Sequence, residues 1–568
     1  MSLSQSGSAM NEKGYGPAFL AGLATLIVFL PCLKNGFIFL DDSGYIYNNQ
    51  HLASSGADFI RWAFLDFYAG FWIPLTWVSF ELDYLMYGFN PLGYHLTNVV
   101  LHCCNTVLFS LVTLRLIRLY YDRKGDGLRD KVFDNTPAKM SGSMTGAVAL
   151  LAGLLFGLHP LRVESVGWVA ERKDVLNAVF ALSSLLVYTD YALRRTEGKL
   201  SCRVFTDRRY IVALLLFVMS LMSKPVTVTL PLVFLILDWF PLERLGTTKK
   251  LYEAVMEKLP FFLCSLVIAW ITIVASSSGI AGFDELRLRP RILLAVKSVI
   301  TYLRMMLLPV GLSPMYDHPE NAASLMKAQY IAPMVLFFLI SAAVSIAGRK
   351  NRLWPAVWLY YLVTVFPMLG ITQIGPQGWA DRFTYLPSMG PTILAALGLV
   401  LVCTNTSDGF FSAPLLRYTA IAAVALLPVY YSLLTARLIP VWHDTESVWN
   451  RAVEEYRGEA GVAHFNRGFY YNESGDYEAA LKDMNASLDI FKRRGSLRIC
   501  RVYYGRGLVY QNMRRYGEAV AEFTKAVESA GARPQRSYYF QRGLAFHNLG
   551  MEEEAEKDFE IARGLAGR

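Results

Sequence analysis

The chain has 568 residues, of which 54% are hydrophobic, 14% aromatic and 18% charged. Soluble chains carry about a quarter charged residues, so a soluble globular protein is excluded in favour of a polytopic helical membrane protein. The net charge of +9 does not imply nucleic acid, because the basic residues gather in short loops between apolar runs, the pattern of the positive-inside bias.

The N-terminal residues are polar, and no small-residue cleavage site follows the first apolar run, so residues 16–39 read as a retained first helix rather than a signal peptide. Further runs of a length suited to a bilayer give eleven expected spans, at about 17–39, 93–119, 144–159, 175–192, 210–223, 226–240, 259–277, 328–347, 353–371, 384–403 and 418–437. Residues 115–139 hold seven Lys/Arg and 194–209 hold six, and basic residues recur at Arg244–Lys258 and Arg349–Arg352. With the N-terminus inside, all four loops are cytosolic, while segment 40–92, with six acids and one arginine, is external. The apolar stretch 291–308 is interrupted by Lys297 and Arg304 and would invert every later loop if it crossed, so it is assigned to the interface. The seven cysteines show neither metal spacing nor a disulfide framework.

After about residue 440 the composition turns polar. Three units recur at about 461–494, 500–533 and 536–568. Each has an early glycine (Gly468, Gly507, Gly543), an alanine twelve residues on (Ala480, Ala519, Ala555), and Met484, Phe523 or Phe559 four further. That is the helix-turn-helix spacing of tetratricopeptide repeats, which stack into a peptide-gripping superhelix. The expected organisation is all-α: a membrane helical bundle over 1–440 and an α-solenoid over 441–568. The span count puts the repeats on the external side.

The external segments hold ionisable groups that a membrane tolerates poorly. Asp41 and Asp42 follow the first span. His159, Arg162, Glu164, Glu171, Arg172, Lys173 and Asp174 crowd between two apolar runs, Asp381 and Arg382 open a later helix, and Lys224 stands between the fifth and sixth spans. His95, Asn98, His102 and Asn105 share one face of the second span. Cations at the interface suit a phosphate, and a nearby carboxylate suits a general base for a hydroxyl. Other readings fit the same residues. The acidic pair suits a helix cap, the His/Asn stripe suits interhelical hydrogen bonding, and Arg162 and Lys173 suit snorkelling. Residues 171–174 also suit a surface ion-pair cluster. Pattern alone leaves enzyme, transporter and scaffold open.

The blocks FLDDSGYIYNN, PLTWVSFELDYLMYGFNPLGYHLTNVVLH, GLHPLRVESVGWVAERKDVL and QGWADRFTYLPSMG resemble, in order, those of the GT-C superfamily membrane glycosyltransferases with C-terminal tetratricopeptide repeats. That group includes the transmembrane-and-tetratricopeptide-repeat O-mannosyltransferases and bacterial relatives. The resemblance implies an inverting hexosyltransferase that moves a monosaccharide from a polyprenyl-phosphate carrier to an acceptor hydroxyl, with protein Ser/Thr favoured, on the non-cytosolic face. It implies Asp41 or Asp42 as general base, Asp41 preferred, with Arg172, Arg382 and Lys224 on the donor phosphate. His159, Glu164, Glu171, His95 and His102 would serve the sugar or acceptor side. No metal ligand set and no cofactor beyond the lipid-linked donor are expected. The partners implied are the polyprenyl-phosphate sugar, membrane lipid and an exported acceptor protein held by the repeats. The implied location is a bacterial inner membrane with periplasmic repeats, or the endoplasmic reticulum membrane with luminal ones. The alternatives are a scaffold for an envelope or secretion complex and a lipid-linked sugar transporter.

Overall fold

A computed structural model describes residues 15–54, 56–124, 140–196, 204–276, 288–317, 328–370, 377–404, 414–456, 458–531 and 535–565. Parts of the basic loops used to orient the spans, 125–139 and 197–203, lie outside the described residues.

The chain divides into two compact units. The first is Met1–Val310, Tyr330–Gly375 and Asp381–His443; the second is Gly311–Gln329, Pro376–Ala380 and Asp444–Arg568. The expected boundary near 440 falls close to His443, but two internal segments, 311–329 and 376–380, group with the C-terminal unit.

The first unit contains α1 (Gly16–Phe29), α2 (Ala57–Leu65), α3 (Pro74–Tyr87), α4 (Pro91–Lys124), α5 (Gly142–Gly157), α6 (Val163–Gly167), α7 (Arg172–Thr196) and α8 (Arg208–Ser223). It continues with α9 (Leu230–Trp239), α10 (Thr248–Ala275), α11 (Leu288–Leu307), α12 (Ala328–Gly348), α13 (Leu353–Val365), α14 (Met389–Thr404) and α15 (Pro414–Leu438). Local signals set several starts. Pro17 sits in the first turn of α1, where its missing N–H is no loss. Ser141, Asp207 and Thr247 cap α5, α8 and α10 by accepting from backbone amides in the first turn.

Each of the eleven expected segments falls on a helix. By length and composition six helices among the described residues are able to cross a membrane on their own: Gly16–Lys34, Pro91–Tyr121, Val169–Thr196, Thr248–Ala275, Tyr330–Gly348 and Tyr418–Trp442. Gly142–Gly157 and Pro160–Gly167 make a seventh if counted as one span bent by 56°. Pro225–Trp239, Leu353–Met368 and Met389–Thr404 are apolar but shorter. Helix α11, assigned to the interface, covers 291–307 of that segment.

The centre of this unit is α4 packed on α1, α5 and α7. Gly153 and Gly157 of α5 lie directly against Ser110, Thr25 and Thr106, where no Cβ would fit. Small residues let membrane helices approach closely and hydrogen-bond across the contact.

In the second unit α16 (Thr445–Glu455) precedes three helix pairs: α17–α18 (Gly461–Glu473, Tyr477–Arg494), α19–α20 (Ile499–Asn512, Tyr516–Ala530) and α21–α22 (Arg536–Asn548, Glu552–Gly564). The repeat spacing has a steric cause. A Cβ on Gly468 would stand 3.1 Å from Ala480 O, one on Gly507 2.5 Å from the Phe523 ring, and one on Gly543 2.8 Å from the Phe559 ring. Each pair also carries an ion pair sixteen residues apart that the sequence reading did not pick out: Arg467–Asp483, Arg506–Glu522 and Arg542–Asp558. The internal segments contribute β1 (Tyr316–Asp317) and β2 (Gln377–Trp379), which pair antiparallel. The Tyr316 ring meets Trp379 and Tyr456, and Arg451 donates to Leu312 O.

Candidate active site

Why two carboxylates follow the first apolar helix is answered by what each one touches. The chain leaves α1 through a turn at Leu30–Lys34, and Gly36 N donates to His443 O. It then enters a short π-helical turn, Ser43–Tyr47, a geometry frequent at functional sites. Asp42, at the head of that turn, is fully buried. Its Oδ2 accepts from Ile38 N at 2.9 Å and its Oδ1 from Ala170 N at 2.8 Å. Burial pushes its pKa up to about 7, against the opposing pull of those two amides. The Asp41 side chain is 43% exposed and lies 3.5 Å from Lys173 Nζ. Asp42 is therefore a clamp between the loop and the 169–171 turn, and Asp41 is the carboxylate of the pair that stays exposed.

Lys173 links the pair to a larger cluster. Its ammonium lies over the rings of Tyr45, Phe71 and Trp168 at 5.1–5.9 Å, an aromatic cage that favours a cation. It is also 3.3 Å from Glu171 Oε1. Buried Glu171 gathers three cations: Lys173, Lys224 at 3.1 Å and Arg382 Nε at 3.2 Å. Lys224 reaches Asp174 at 2.6 Å. Arg382 pairs with Glu164 through its guanidinium, and its own amide donates to Glu164 Oε2 at 2.7 Å. Burial alone would lower the Arg382 pKa; Glu164 and Glu171 overcome that and hold it above the usual range. Trp168 stacks on Trp442 and lies under Arg382 as well as Lys173.

An apolar groove opens beside this cluster. Asp174, Asn177, Thr227 and Arg382 form its polar wall, and Leu182, Leu185, Val233, Leu237, Tyr360 and Ile393 line its apolar length as far as Phe240 and Pro241. From Asp174 to Leu185 the groove follows α7 for about 17 Å at the helical rise per residue.

Several expected site residues are elsewhere. Arg172, expected beside Arg382, turns away toward α3 and α4. Its guanidinium donates to Asp83 at 2.6 Å, Tyr94 O at 2.7 Å, Ser79 at 3.2 Å and Asn98. With its donors so engaged it pins α7 to α3 and α4. The His/Asn stripe makes hydrogen bonds to neighbouring helices and loops: His95 Nε2 is 3.2 Å from Gly36 O, His102 lies 2.7 Å from the Tyr385 hydroxyl and 3.0 Å from Gly157 O, and Asn105 donates to Val175 O. His159 accepts from Leu161 N, and its Nε2 is 3.0 Å from Met306 O. Arg162 is not a snorkelling charge: it is 1% exposed, donates to Ser388 Oγ and lies over Phe156 and Tyr385. Asp41, Asp42, Glu164, Glu171, Lys224 and Arg382 are thus brought together, and His95, His102, His159 and Arg172 are not. The sequence reading counted Lys173 among the interfacial cations without a role of its own, and gave Asp174 and Trp168 none. Their signal was the dense run 164–174, which resolves only once each residue's direction is known.

A family model for the tetratricopeptide repeat matches residues 501–532 and 537–562. Among curated proteins, "Protein O-mannosyl-transferase TMTC1" of Homo sapiens is 24% identical over 84% of this chain and 56% of its own length. "Protein O-mannosyl-transferase Tmtc3" of Drosophila melanogaster is 22% identical over 80% of this chain and 51% of its own length. "Protein O-mannosyl-transferase Tmtc1" of Drosophila melanogaster is 30% identical over 37% of this chain and 22% of its own length. At its longest matches the chain spans about half the length of these relatives. Among solved structures, the "Crystal Structure of ArnT from Cupriavidus metallidurans bound to Undecaprenyl phosphate" has 14% identity and a TM-score of 0.34 over 90% of this chain and 80% of that one, a score too low to carry an argument. The chain is a helical membrane protein with C-terminal tetratricopeptide repeats, and a relative of proteins named O-mannosyl-transferases.

Proposed function

We propose that the chain is a GT-C-type glycosyltransferase that moves a monosaccharide from a polyprenyl phosphate to the hydroxyl of an exported protein Ser or Thr. The site would open to the non-cytosolic face, and the repeats would receive the acceptor protein. The observation that carries this reading is the unbroken line of contacts from Asp41 through Lys173 and Glu171 to Arg382 and Lys224, beside an apolar groove suited to a prenyl chain.

In this reading Asp41 takes the proton of the acceptor hydroxyl as its oxygen attacks the anomeric carbon. The bond from that carbon to the phosphate oxygen breaks, the electron pair leaves with the phosphate, and the anomeric centre inverts. Negative charge grows on the phosphate, and preplaced cations stabilise it without having to reorganise. Glu171 holds Arg382, Lys224 and Lys173 around one point and offsets their mutual repulsion. Arg382, Lys224 and Lys173 take the place that a divalent metal would fill beside the phosphate.

The test is transfer by the purified full chain from synthetic polyprenyl-phosphate mannose and other hexoses to Ser/Thr peptides, with and without chelator. Product that persists with chelator is expected. No transfer from any of these donors, by a folded preparation, would overturn the reading.

A further inference from the structure

A second charged layer lies at the other end of α7. Asp190 and Arg194 follow Lys173 by seventeen and twenty-one residues, about 25–30 Å along the helix axis, roughly the thickness of a hydrocarbon core. Arg115 of α4 reaches Asp190 at 3.2 Å, Arg194 of α7 at 3.4 Å and Arg209 of α8 at 2.7 Å. Three guanidiniums from three helices therefore converge on one carboxylate, and Asp190 is the anion they share among the described residues. Asp207, a carboxylate among the described residues of this end, is engaged in capping α8, where it accepts from Arg209 N and Tyr210 N. The three arginines are 28%, 42% and 38% exposed, and one nitrogen of each points at Asp190; among the described residues Asp190 is the carboxylate partner they share, which leaves the exposed part of each fork for a ligand. Buried ion pairs at this end, such as Arg244 and Lys258 with Asp238 and Glu257, are closed by contrast.

The surroundings decide what kind of anion fits. Arg209 stands at the start of a helix whose next turns expose Ile211, Val212 and Leu215, and Phe205 projects just before it. An arginine nest at the rim of a lipid-facing apolar surface places its ligand where headgroups lie. We propose that Arg115, Arg194 and Arg209 bind the phosphate of an anionic phospholipid in the leaflet opposite the candidate active site. Guanidinium forks match phosphate oxygens bidentately, and basic pockets between membrane helices hold anionic headgroups. The lipid's chains lie along the exposed face of α8. Asp190 holds the empty nest together and leaves an excess of positive charge for the lipid. This site is independent of the proposed transfer reaction.

The test is native mass spectrometry of the full chain released from bilayers of equal phosphatidylglycerol and phosphatidylcholine, with the unfolding midpoint measured in each pure lipid. The wild type is expected to retain phosphatidylglycerol over phosphatidylcholine by about tenfold, the scale of one to two juxtamembrane basic residues, since Asp190 offsets part of the nest's charge. The Arg115→Gln/Arg209→Gln protein is expected to lose that preference, and Asp190→Asn, which frees all three guanidiniums, to keep or raise it. Phosphatidylglycerol is expected to raise the wild-type midpoint. A double variant with full preference, an Asp190→Asn protein that loses it, or an equal midpoint shift from inorganic phosphate in pure phosphatidylcholine would each overturn the proposal; the last would mean a soluble anion site.

Discussion

Asp41 and Asp42 are adjacent, and the backbone turns one outward and one in. That difference has a measurable pH signature. Asp42 titrates near pH 7 in the folded protein against an ordinary value of 3.8, so between these values the folded chain holds a proton that the unfolded chain releases. Its stabilising contribution is complete below about pH 4 and is lost as the pH rises through 7. The unfolding midpoint in detergent is expected to fall between about pH 4 and 7 and to level off above that, and Asp42→Asn to flatten that slope. Lys173 acts through its neighbours, since it touches both Asp41 and Glu171. Lys173→Met is expected to lower kcat by about 10²- to 10³-fold, the scale of losing one preorganised donor. The donor KM should change little, because Arg382 and Lys224 stay in place, and Lys173→Arg should recover part of the loss. Steady-state kinetics with donor and acceptor varied separately check the split.

Glu171 closes the turn before α7 and Arg172-Lys173-Asp174 open the helix, and about 100° of rotation per helical residue sends the side chains in different directions. Glu171 and Asp174, three apart, both meet Lys224; Lys173 meets Asp41; Arg172 goes to Asp83. Because Arg172 and Asp83 are buried together, Arg172→Met is expected to cost about 3–5 kcal/mol by leaving Asp83 unpaired. Replacing Asp83 by Leu as well should restore part of that, as read by chemical denaturation. In the repeats, Gly507→Val would press a branched side chain into the Phe523 ring. A loss of about 1–3 kcal/mol is expected from such overpacking, visible as earlier melting of the repeat helices. The helices and the repeats were legible in the sequence because an apolar run and a Gly–Ala–aromatic spacing each follow from local sterics. The fan of residues 171–174 was not, since a run of mixed charges says nothing about which neighbour each one faces. The His102 stripe was ambiguous for a similar reason: its spacing fixes one helix face, and only the packing partner, Tyr385, decides between ligand and structural hydrogen bond.

On the scale of the whole chain, the charge pattern and the acidic pair pointed to a membrane protein whose polar chemistry gathers at one end of its helices. Asp41, Glu164, Glu171, Lys224 and Arg382 come from distant parts of the sequence and join one network. The sequence did not disclose that segments 311–329 and 376–380 belong with the C-terminal unit. A cut after His443 would therefore also strip Tyr316 of Tyr456, and point variants separate the functions more cleanly than truncation. The central claim is that Asp41 removes the acceptor proton at a site whose cations already hold the donor. It is tested most directly by single-turnover transfer in the full chain preloaded with saturating polyprenyl-phosphate sugar, wild type against Asp41→Asn. The expected result is donor binding within about twofold of wild type and a transfer rate lower by about 10²–10⁴, the range for a lost general base. An Asp41→Asn protein that binds donor and transfers at the wild-type rate would contradict it.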